Sequence, residues 1–272
     1  MSWVWRQGKH LTYLTIPEWE AEGVQLGFST RWGGTSKPPY SSLNLGFHVG
    51  DAPEDVRVNR EIWLKEWDAT WSDMTIGEQV HGTQIHQVEV SDAGRGSQSL
   101  STVLPAVDAL VTKSALGLMA FFADCVPVFF YHRKIKTVGI AHAGWKGTAG
   151  KIVLNVLEQF RENGGDPADC WVALGPSIGP CCYEVDERVI KGFEEGFQET
   201  PFLKRGKPGH AQLNLWEANR VALQEAGVQS EKIWVAGICT ACHTDSFFSH
   251  RIEGPKTGRM AAWIRQVPKG ED

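Results

Sequence analysis

Two short apolar segments on either side of a polar break give the clearest structural pattern in the chain. Residues 126–132 and 136–142 are rich in β-branched and aromatic side chains, and Arg133-Lys134 separates them. This pattern is typical of two antiparallel strands joined by a tight turn. A two-residue turn would place Cys125 directly opposite His142, with Cβ atoms about 4.5–5.5 Å apart. A turn of a different length would change this register.

Helical periodicity dominates the second half of the chain. Apolar residues recur at helical spacing within 148–163 and predict an amphipathic helix. Further helices are predicted at 53–67, 186–197 and 213–226, and strands at 24–30, 74–80, 85–90, 108–112, 118–122, 171–174 and 233–238. Because the early strands are connected as hairpins and the long helices come late, we predict a mixed or antiparallel α+β fold rather than a doubly wound sheet.

Length and charge narrow the classes of protein. The 272 residues are enough for one large domain or two small ones, and the net charge is −5. Without a basic stripe, nucleic acid is not an expected partner. No apolar run approaches the roughly 18 residues of a membrane helix, and the first ten residues contain no continuous apolar segment of the kind that secretory signals carry. We therefore expect a cytoplasmic protein without membrane contact.

Three metal-capable residues, His81, Cys125 and His142, fall in three separate motifs. The motifs are Gln79-Val80-His81-Gly82, Ala123-Asp124-Cys125 and Ala141-His142-Ala143-Gly144-Trp145. Two imidazoles and one thiolate leave the fourth position of a tetrahedral zinc ion open, which is typical of catalytic sites. Asp124 is the nearest carboxylate, and we predict it to carry protons or to orient a ligand. A rival interpretation makes Cys125 the nucleophile of a cysteine hydrolase, with His142 as its base.

Three further residues are candidates for binding phosphate or substrate. Arg31 lies where a predicted strand enters a Gly-rich turn and could clamp an anion with two hydrogen bonds. Lys146 lies at a predicted helix start, where free N–H groups favour anions. Asn44 belongs to the polar loop 41–46. Each of these three residues could instead be an ordinary turn or loop residue that binds no ligand. The chain has no G-x-G-x-x-G or Walker A motif, which disfavours dinucleotide and nucleoside-triphosphate chemistry.

The remaining cysteines admit several interpretations. Without an export signal, we expect the six cysteines to be reduced thiols or metal ligands rather than a disulfide framework. The segment Cys239-Thr240-Ala241-Cys242-His243 matches a haem-attachment pattern, but a second metal site or an ordinary loop fits an unexported protein better. Cys181 and Cys182 could form a redox pair, although the strain of a vicinal disulfide favours a packing role.

Together these motifs resemble those of the laccase-domain (YfiH/YlmD) family, whose older name invokes copper and polyphenol oxidation. The matching segments also include Phe28-Ser29-Thr30-Arg31, Ser42-Leu43-Asn44-Leu45-Gly46, Gly175-Pro176-Ser177-Ile178-Gly179, Phe247-Phe248-Ser249-His250-Arg251 and Thr257-Gly258-Arg259. The resemblance implies a single α+β domain over residues 1–272, with two packed mixed sheets flanked by helices in α-β-β-α layers. It also implies zinc, with copper as the alternative, on His81, Cys125 and His142.

The resemblance further implies an activity. It predicts phosphorolysis of adenosine, inosine and methylthioadenosine with inorganic phosphate, together with adenosine deamination. Three alternatives stay open: a Cys125/His142 hydrolase or amidase acting on a peptidoglycan precursor, a copper-dependent polyphenol oxidase, and a non-catalytic metal- or nucleoside-binding module. Multicopper oxidation needs a His-rich cluster, and the nine histidines include no His-x-His pair.

Overall fold

The computed structural model describes residues 2–267, and its core consists of two six-stranded mixed sheets packed face to face. The strands are β1 Val4–Gln7, β2 Thr12–Thr15, β3 Val24–Ser29, β4 Met74–Ile76, β5 Ile85–Gln87, β6 Ala109–Thr112, β7 Gly117–Phe122, β8 Val126–His132, β9 Thr137–Ala143, β10 Cys170–Leu174, β11 Glu184–Asp186, β12 Leu203–Arg205, β13 His210–Leu213, β14 Ile233–Val235 and β15 Met260–Gln266. The helices are α1 Pro17–Glu20, α2 Pro53–Glu66, α3 Trp145–Ala149, α4 Ile152–Glu162, α5 Glu187–Gly196, α6 Leu215–Glu225 and α7 His250–Glu253. The predicted α+β architecture is confirmed.

The strand order shows why both large sheets are mixed. The first sheet runs β1-β2-β3-β15-β7-β4 and the second runs β14-β10-β8-β9-β6-β5, while β11-β13-β12 form a small third sheet. The pairs β4–β7, β5–β6 and β10–β14 are parallel, and the other pairs are antiparallel. Within residues 2–267, no helix is long and apolar enough to cross a membrane. The predicted domain limits, 1–272, include end residues outside the described part.

Successive side chains along each strand point to opposite faces of the sheet and so pack into different cores. In β7, Leu118, Ala120 and Phe122 point into the core between the two sheets. Met119 and Phe121 point the other way, into a core shared with α2. The outer face of the second sheet packs against α4, α5 and α6 in a third core. This arrangement is the predicted α-β-β-α layering, because each sheet buries one face against its partner and the other against helices.

The predicted hairpin exists, but its predicted register was wrong. The turn has four residues, 133–136, so that His132 pairs with Thr137 and Pro127 lies opposite His142. Lys136 completes the turn with φ of +47°. The register is therefore shifted by two positions relative to the prediction, and Cys125 precedes β8 instead of lying opposite His142. A shift of two keeps every side chain on its predicted face, because side chains alternate with a period of two.

Two other elements differ from the prediction. The helix predicted over 148–163 is divided, because Lys151 adopts a left-handed conformation with φ of +54° between α3 and α4. The sequence prediction also missed β15, which lies at the centre of the first sheet, along with β1, β2 and the small third sheet. In β15, Met260 to Ile264 are all buried, since both faces of that strand are covered.

The packing between the sheets predicts which side-chain truncations will lower the stability of the fold. Ile140 on β9 is 1% exposed in the core between the sheets, whereas Ile252 on α7 is 57% exposed. We expect Ile140→Ala to lower the free energy of unfolding by about 2–5 kcal/mol and the matched control Ile252→Ala to change it by less than about 0.5 kcal/mol. Urea unfolding followed by tryptophan fluorescence measures both values. Equal losses from the two variants would contradict this account of the core.

Candidate metal centre

His81, Cys125 and His142 converge from three different segments. His81 follows β4 in a loop, Cys125 lies one residue before β8, and His142 belongs to β9. Their candidate ligand atoms all lie within 4.8 Å of one another. The two imidazole rings meet edge to face, with centroids 4.8 Å apart. The structure thus brings together the three residues that the sequence predicted as ligands.

Asp108, which the sequence analysis did not select, holds two of these ligands in place. Its carboxylate accepts hydrogen bonds from the backbone N–H groups of Val80 at 3.1 Å, His81 at 3.0 Å and Gly82 at 2.7 Å. The same carboxylate lies 2.8 Å from Nδ1 of His142. A hydrogen bond from Nδ1–H fixes the imidazole and leaves Nε2 for a metal, as in many carboxylate–histidine–metal arrangements.

Neighbouring side chains shift the protonation of Cys125 and His142. Desolvation raises the pKa of the Cys125 thiol, but His142 and His81 outweigh it and bring the pKa down to about 6. Desolvation lowers the pKa of His142, while Cys125 and Asp108 outweigh it and raise the pKa to about 9. The thiol is therefore prepared to become a thiolate, which is the form that binds metal.

Gly144 leaves space for the three side chains. A Cβ atom built on Gly144 would lie 3.0 Å from both Sγ of Cys125 and Cδ2 of His81. Those distances are shorter than ordinary van der Waals contact, so a larger residue would push the ligands apart. The glycine of the Ala-His-Ala-Gly motif therefore has a steric role in the cluster.

The cluster opens into a cavity of about 570 Å³. One part of its lining is apolar or aromatic: Ile76, Phe121, Trp145, Ile178, Tyr183 and Leu215. Another part is basic: His48, Arg60, His250, Arg251 and Arg259. A cavity of this size, with an apolar wall and a few convergent polar groups, is typical of small-molecule sites.

Arg31, Asn44 and Lys146 lie away from the lining of this cavity. The Arg31 guanidinium donates to the carbonyl groups of Ser41 and Thr244 and pairs with Glu253 at 2.8 Å. Asn44 is fully buried and orders its own loop. Lys146 is exposed beside the ring of Trp145. Their role in binding phosphate stays a prediction.

Asp124 lines the cavity, but its carboxylate is already engaged. It accepts hydrogen bonds from Oγ1 of Thr240 at 2.7 Å, Oγ of Ser249 at 3.1 Å and the backbone N–H of Arg251 at 2.7 Å. The backbone at Asp124 has φ of +86°, so the extended strand conformation of β8 does not continue through it. These contacts favour an orienting function over proton transfer.

The basic residues of the cavity were missed as site residues, although two motifs contained some of them. Arg251 and Arg259 end the segments Phe247–Arg251 and Thr257–Arg259, which carried part of the family resemblance. Arg60 lies on α2, and nothing in the sequence distinguishes it from the other charged residues of that helix. Its guanidinium lies between Phe47 and Phe121, 4.2 and 4.6 Å from their ring centroids.

Comparison with known proteins agrees with this fold and identifies the family. A family model described as multi-copper polyphenol oxidoreductase laccase matches residues 25–266. The purine nucleoside phosphorylase YlmD of Geobacillus stearothermophilus is 46% identical over 248 residues, which cover 89% of this chain and 90% of that relative. The purine nucleoside phosphorylase YlmD of Bacillus subtilis is 38% identical over 245 residues, which cover 89% and 88%.

Solved structures show the same architecture. The crystal structure of YlmD from Geobacillus stearothermophilus aligns with a TM-score of 0.93 at 40% identity, over 97% of this chain and 99% of that one. The hypothetical protein YfiH of Bacillus licheniformis aligns with a TM-score of 0.92 at 40% identity, over 96% and 98%. Fold and site together define a laccase-like α+β protein with a His-Cys-His cluster. The chain belongs to the multi-copper polyphenol oxidoreductase laccase family.

The position of Asp108 generates a prediction about metal binding. In Asp108→Asn, an amide NH₂ replaces one oxygen that accepts from N–H groups, so both the His81 loop and His142 lose part of their support. We expect zinc affinity to fall about 10- to 100-fold. Asp92→Asn is the matched control, because Asp92 is also buried and pairs with His86 at 3.0 Å outside the cluster. Competition with a chromogenic chelator measures both affinities, and equal values for wild type and Asp108→Asn would refute the role assigned to Asp108.

Proposed function

We propose that this protein is a zinc-dependent purine nucleoside phosphorylase that converts adenosine, inosine or methylthioadenosine and phosphate into the free base and a ribose 1-phosphate. The observation that carries the proposal is one cavity lined by both the His-Cys-His cluster and a group of arginines. The names of the relatives, which align over most of this chain, support the same activity.

Phosphorolysis sets definite demands on the site. A phosphate oxygen bonds to C1′ of the ribose while the bond from C1′ to the purine nitrogen breaks, and the electron pair of that bond leaves with the base, which gains a proton. Charge develops as in glycoside cleavage, through an oxocarbenium-like state. The site must therefore bind an anion, hold a flat base and stabilise the leaving group.

The arginines of the cavity are suited to the phosphate. Burial lowers the pKa of Arg60 only to about 9, so its guanidinium stays charged near neutral pH. The Arg60 Nη2 atom is buried and has no hydrogen-bond partner among the described residues. The Arg259 guanidinium donates two hydrogen bonds, to the carbonyl groups of Thr257 and Gly258, and these bonds fix its position. Planar guanidinium groups bind phosphate with paired hydrogen bonds.

The aromatic wall is suited to the base. Phe121, Trp145 and Tyr183 line the same cavity as the arginines. Flat apolar surfaces stabilise a purine by stacking and by excluding water. Arg251 lies 4.9 Å from the centroid of the Tyr183 ring and connects this wall with the basic part of the lining.

His81, Cys125 and His142 would hold the zinc ion, and their chemistry fits it because soft thiolate and imidazole ligands suit zinc. When bound, zinc supplies Lewis-acid polarisation and lowers the pKa of water, which is what deamination at C6 of adenosine requires. We therefore retain adenosine deamination as a second activity of the proposal. Asp124 would act by fixing the segment beside Cys125 and the backbone of Arg251, as its hydrogen bonds indicate.

One observation favours a second candidate, a cysteine hydrolase. Cys125 and His142 have the lowered thiol pKa and raised imidazole pKa of a thiolate–imidazolium pair. Metal analysis combined with iodoacetamide labelling separates the two candidates. Stoichiometric zinc that protects Cys125 from labelling supports the phosphorylase, whereas a metal-free, rapidly labelled and active protein supports the hydrolase.

A product assay tests the proposed activity directly. With inosine and phosphate we expect hypoxanthine and ribose 1-phosphate, measured by chromatography. His81→Ala should lower the rate at least about 100-fold, since the Lewis acid contributes several kcal/mol. His10→Ala, at an exposed histidine of β1–β2, is the control and should keep full activity. Inosine from adenosine without phosphate would identify deamination, and no product from either nucleoside would contradict the proposal.

The proposed phosphate site generates a second kinetic prediction. Arg259→Gln removes a cation from the cavity, so we expect the KM for phosphate to rise about tenfold or more, with a smaller change in the KM for inosine. Lys146→Gln is the matched control, because Lys146 is exposed and outside the lining. Steady-state kinetics with phosphate as the varied substrate measures both. A raised KM for Lys146→Gln alone would restore Lys146 as the phosphate ligand.

A further inference from the structure

Four cysteines outside the catalytic cavity bring their sulfur atoms together. Cys181 and Cys182 lie between β10 and β11, and Cys239 and Cys242 lie after β14. All four Sγ atoms lie within 4.8 Å of one another. Sγ of Cys242 lies 3.5 Å from that of Cys181 and 3.4 Å from that of Cys182. These distances exceed the roughly 2.05 Å of a disulfide, and all four cysteines are free.

We propose that Cys181, Cys182, Cys239 and Cys242 form a second metal site, a structural zinc ion held by four thiolates. A tetrahedral zinc ion with bonds of about 2.3 Å places its sulfur ligands about 3.8 Å apart, which matches the observed spacing. Four protein ligands fill the coordination shell, so that no position is left for a substrate. An iron–sulfur cluster is larger than a single ion and would hold its four cysteines further apart.

Backbone groups are arranged to support a thiolate at Cys239. The N–H of Gly179 donates to Sγ of Cys239 at 3.2 Å, and the N–H of Cys242 donates to the same sulfur. Such hydrogen bonds favour the charged form of a ligand and orient it. Gly179 also permits the close approach of the loops, because a Cβ there would lie 3.2 Å from Cβ of Cys239 and 3.3 Å from Sγ of Cys181.

The crowding of the thiols supports the same conclusion. Four sulfur atoms this close to one another cannot all ionise together unless a cation compensates their charge. A divalent ion at their centre removes this cost, because a coordinated thiol loses its proton.

The proposed zinc would join two loops that both contact Asp124, a residue of the cavity lining. The loop containing Cys181 includes Ile178, whose N–H donates to the carbonyl of Asp124 at 2.8 Å. The loop containing Cys239 includes Thr240, whose hydroxyl donates to the carboxylate of Asp124 at 2.7 Å. Both loops therefore hold the residue that precedes Cys125. The site would stabilise the position of Asp124 without contacting the substrate.

Counting metal ions tests this inference without any assay of turnover, so its outcome is independent of the proposed function. Protein purified with zinc and a reductant should contain two zinc ions per chain by elemental mass spectrometry. Both Cys239→Ser/Cys242→Ser and His81→Ala/Cys125→Ser should contain one. The cobalt(II) form of the second double variant should show the intense visible absorption of a tetrathiolate site. One zinc ion in wild type and none in His81→Ala/Cys125→Ser would overturn the proposal.

Wild-type protein provides a second test should the Cys239→Ser/Cys242→Ser variant not fold. Cys181 and Cys242 are exposed, so that they should react with iodoacetamide unless a metal holds them. We expect zinc to protect both and a chelator to restore labelling, as read by peptide mass spectrometry. Cys170, which is fully buried, is the control and should stay unlabelled in both states. Equal labelling of Cys181 and Cys242 with and without zinc, or a disulfide among the four, would contradict the site.

Discussion

The buried carboxylate of Asp108 is the constraint on which the site depends. It is 3% exposed and satisfies its charge with three backbone N–H groups of the His81 loop and with His142. A buried charge is tolerated only when hydrogen bonds replace the lost water. Here all four of those bonds come from segments that carry candidate metal ligands. The hydrogen bonds that the buried Asp108 carboxylate requires are therefore the same bonds that hold the cluster together. They also account for the left-handed backbone of His81, with φ of +60°.

The two packed sheets make this requirement possible. Asp108 lies one residue before β6, and β6 pairs with β9, which carries His142. Cys125 lies one residue before β8, the other neighbour of β9. The site thus lies at one end of three adjacent strands of the second sheet, whose faces are both buried. Because these strands cannot shift without exposing apolar side chains, the ligands are held by the core and not by flexible loops alone.

The sequence predicted the fold class and the grouping of His81, Cys125 and His142 better than it predicted the geometry that unites them. The predicted hairpin register was wrong by two positions, since nothing in Arg133 or Lys134 signals a four-residue turn. The ligands converge nonetheless, because an even shift preserves the face of every side chain. Strand β15 was missed because a strand covered on both faces lacks the alternation that marks a half-buried one.

The charged residues of the site were missed in the sequence for a different physical reason than the register and β15. Asp108, Arg60 and Arg259 have no local pattern that separates them from ordinary surface charges. Their significance depends on contacts across long stretches of chain, such as the hydrogen bond from Arg60 to the carbonyl of Gly96. Motif resemblance identified the segment that contains Arg259 but not its position in the cavity. Burial of a charged side chain is a property of the tertiary structure, so only the coordinates identify these residues as unusual.

In the proposed function, the balance of charge in the cavity would explain why a metal ion and an anion site belong together. A divalent ion with the Cys125 thiolate and the Asp108 carboxylate forms a unit with no net charge. That unit therefore has no spare negative charge to neutralise the arginines of the cavity. Arg60, 1% exposed, directs its described hydrogen bonds to the carbonyl groups of Leu45, Gly96 and Ser97, which are dipoles and not charges. Keeping such a cation buried is costly unless an anion compensates it, and phosphate would supply that charge at the point where the proposed reaction uses it.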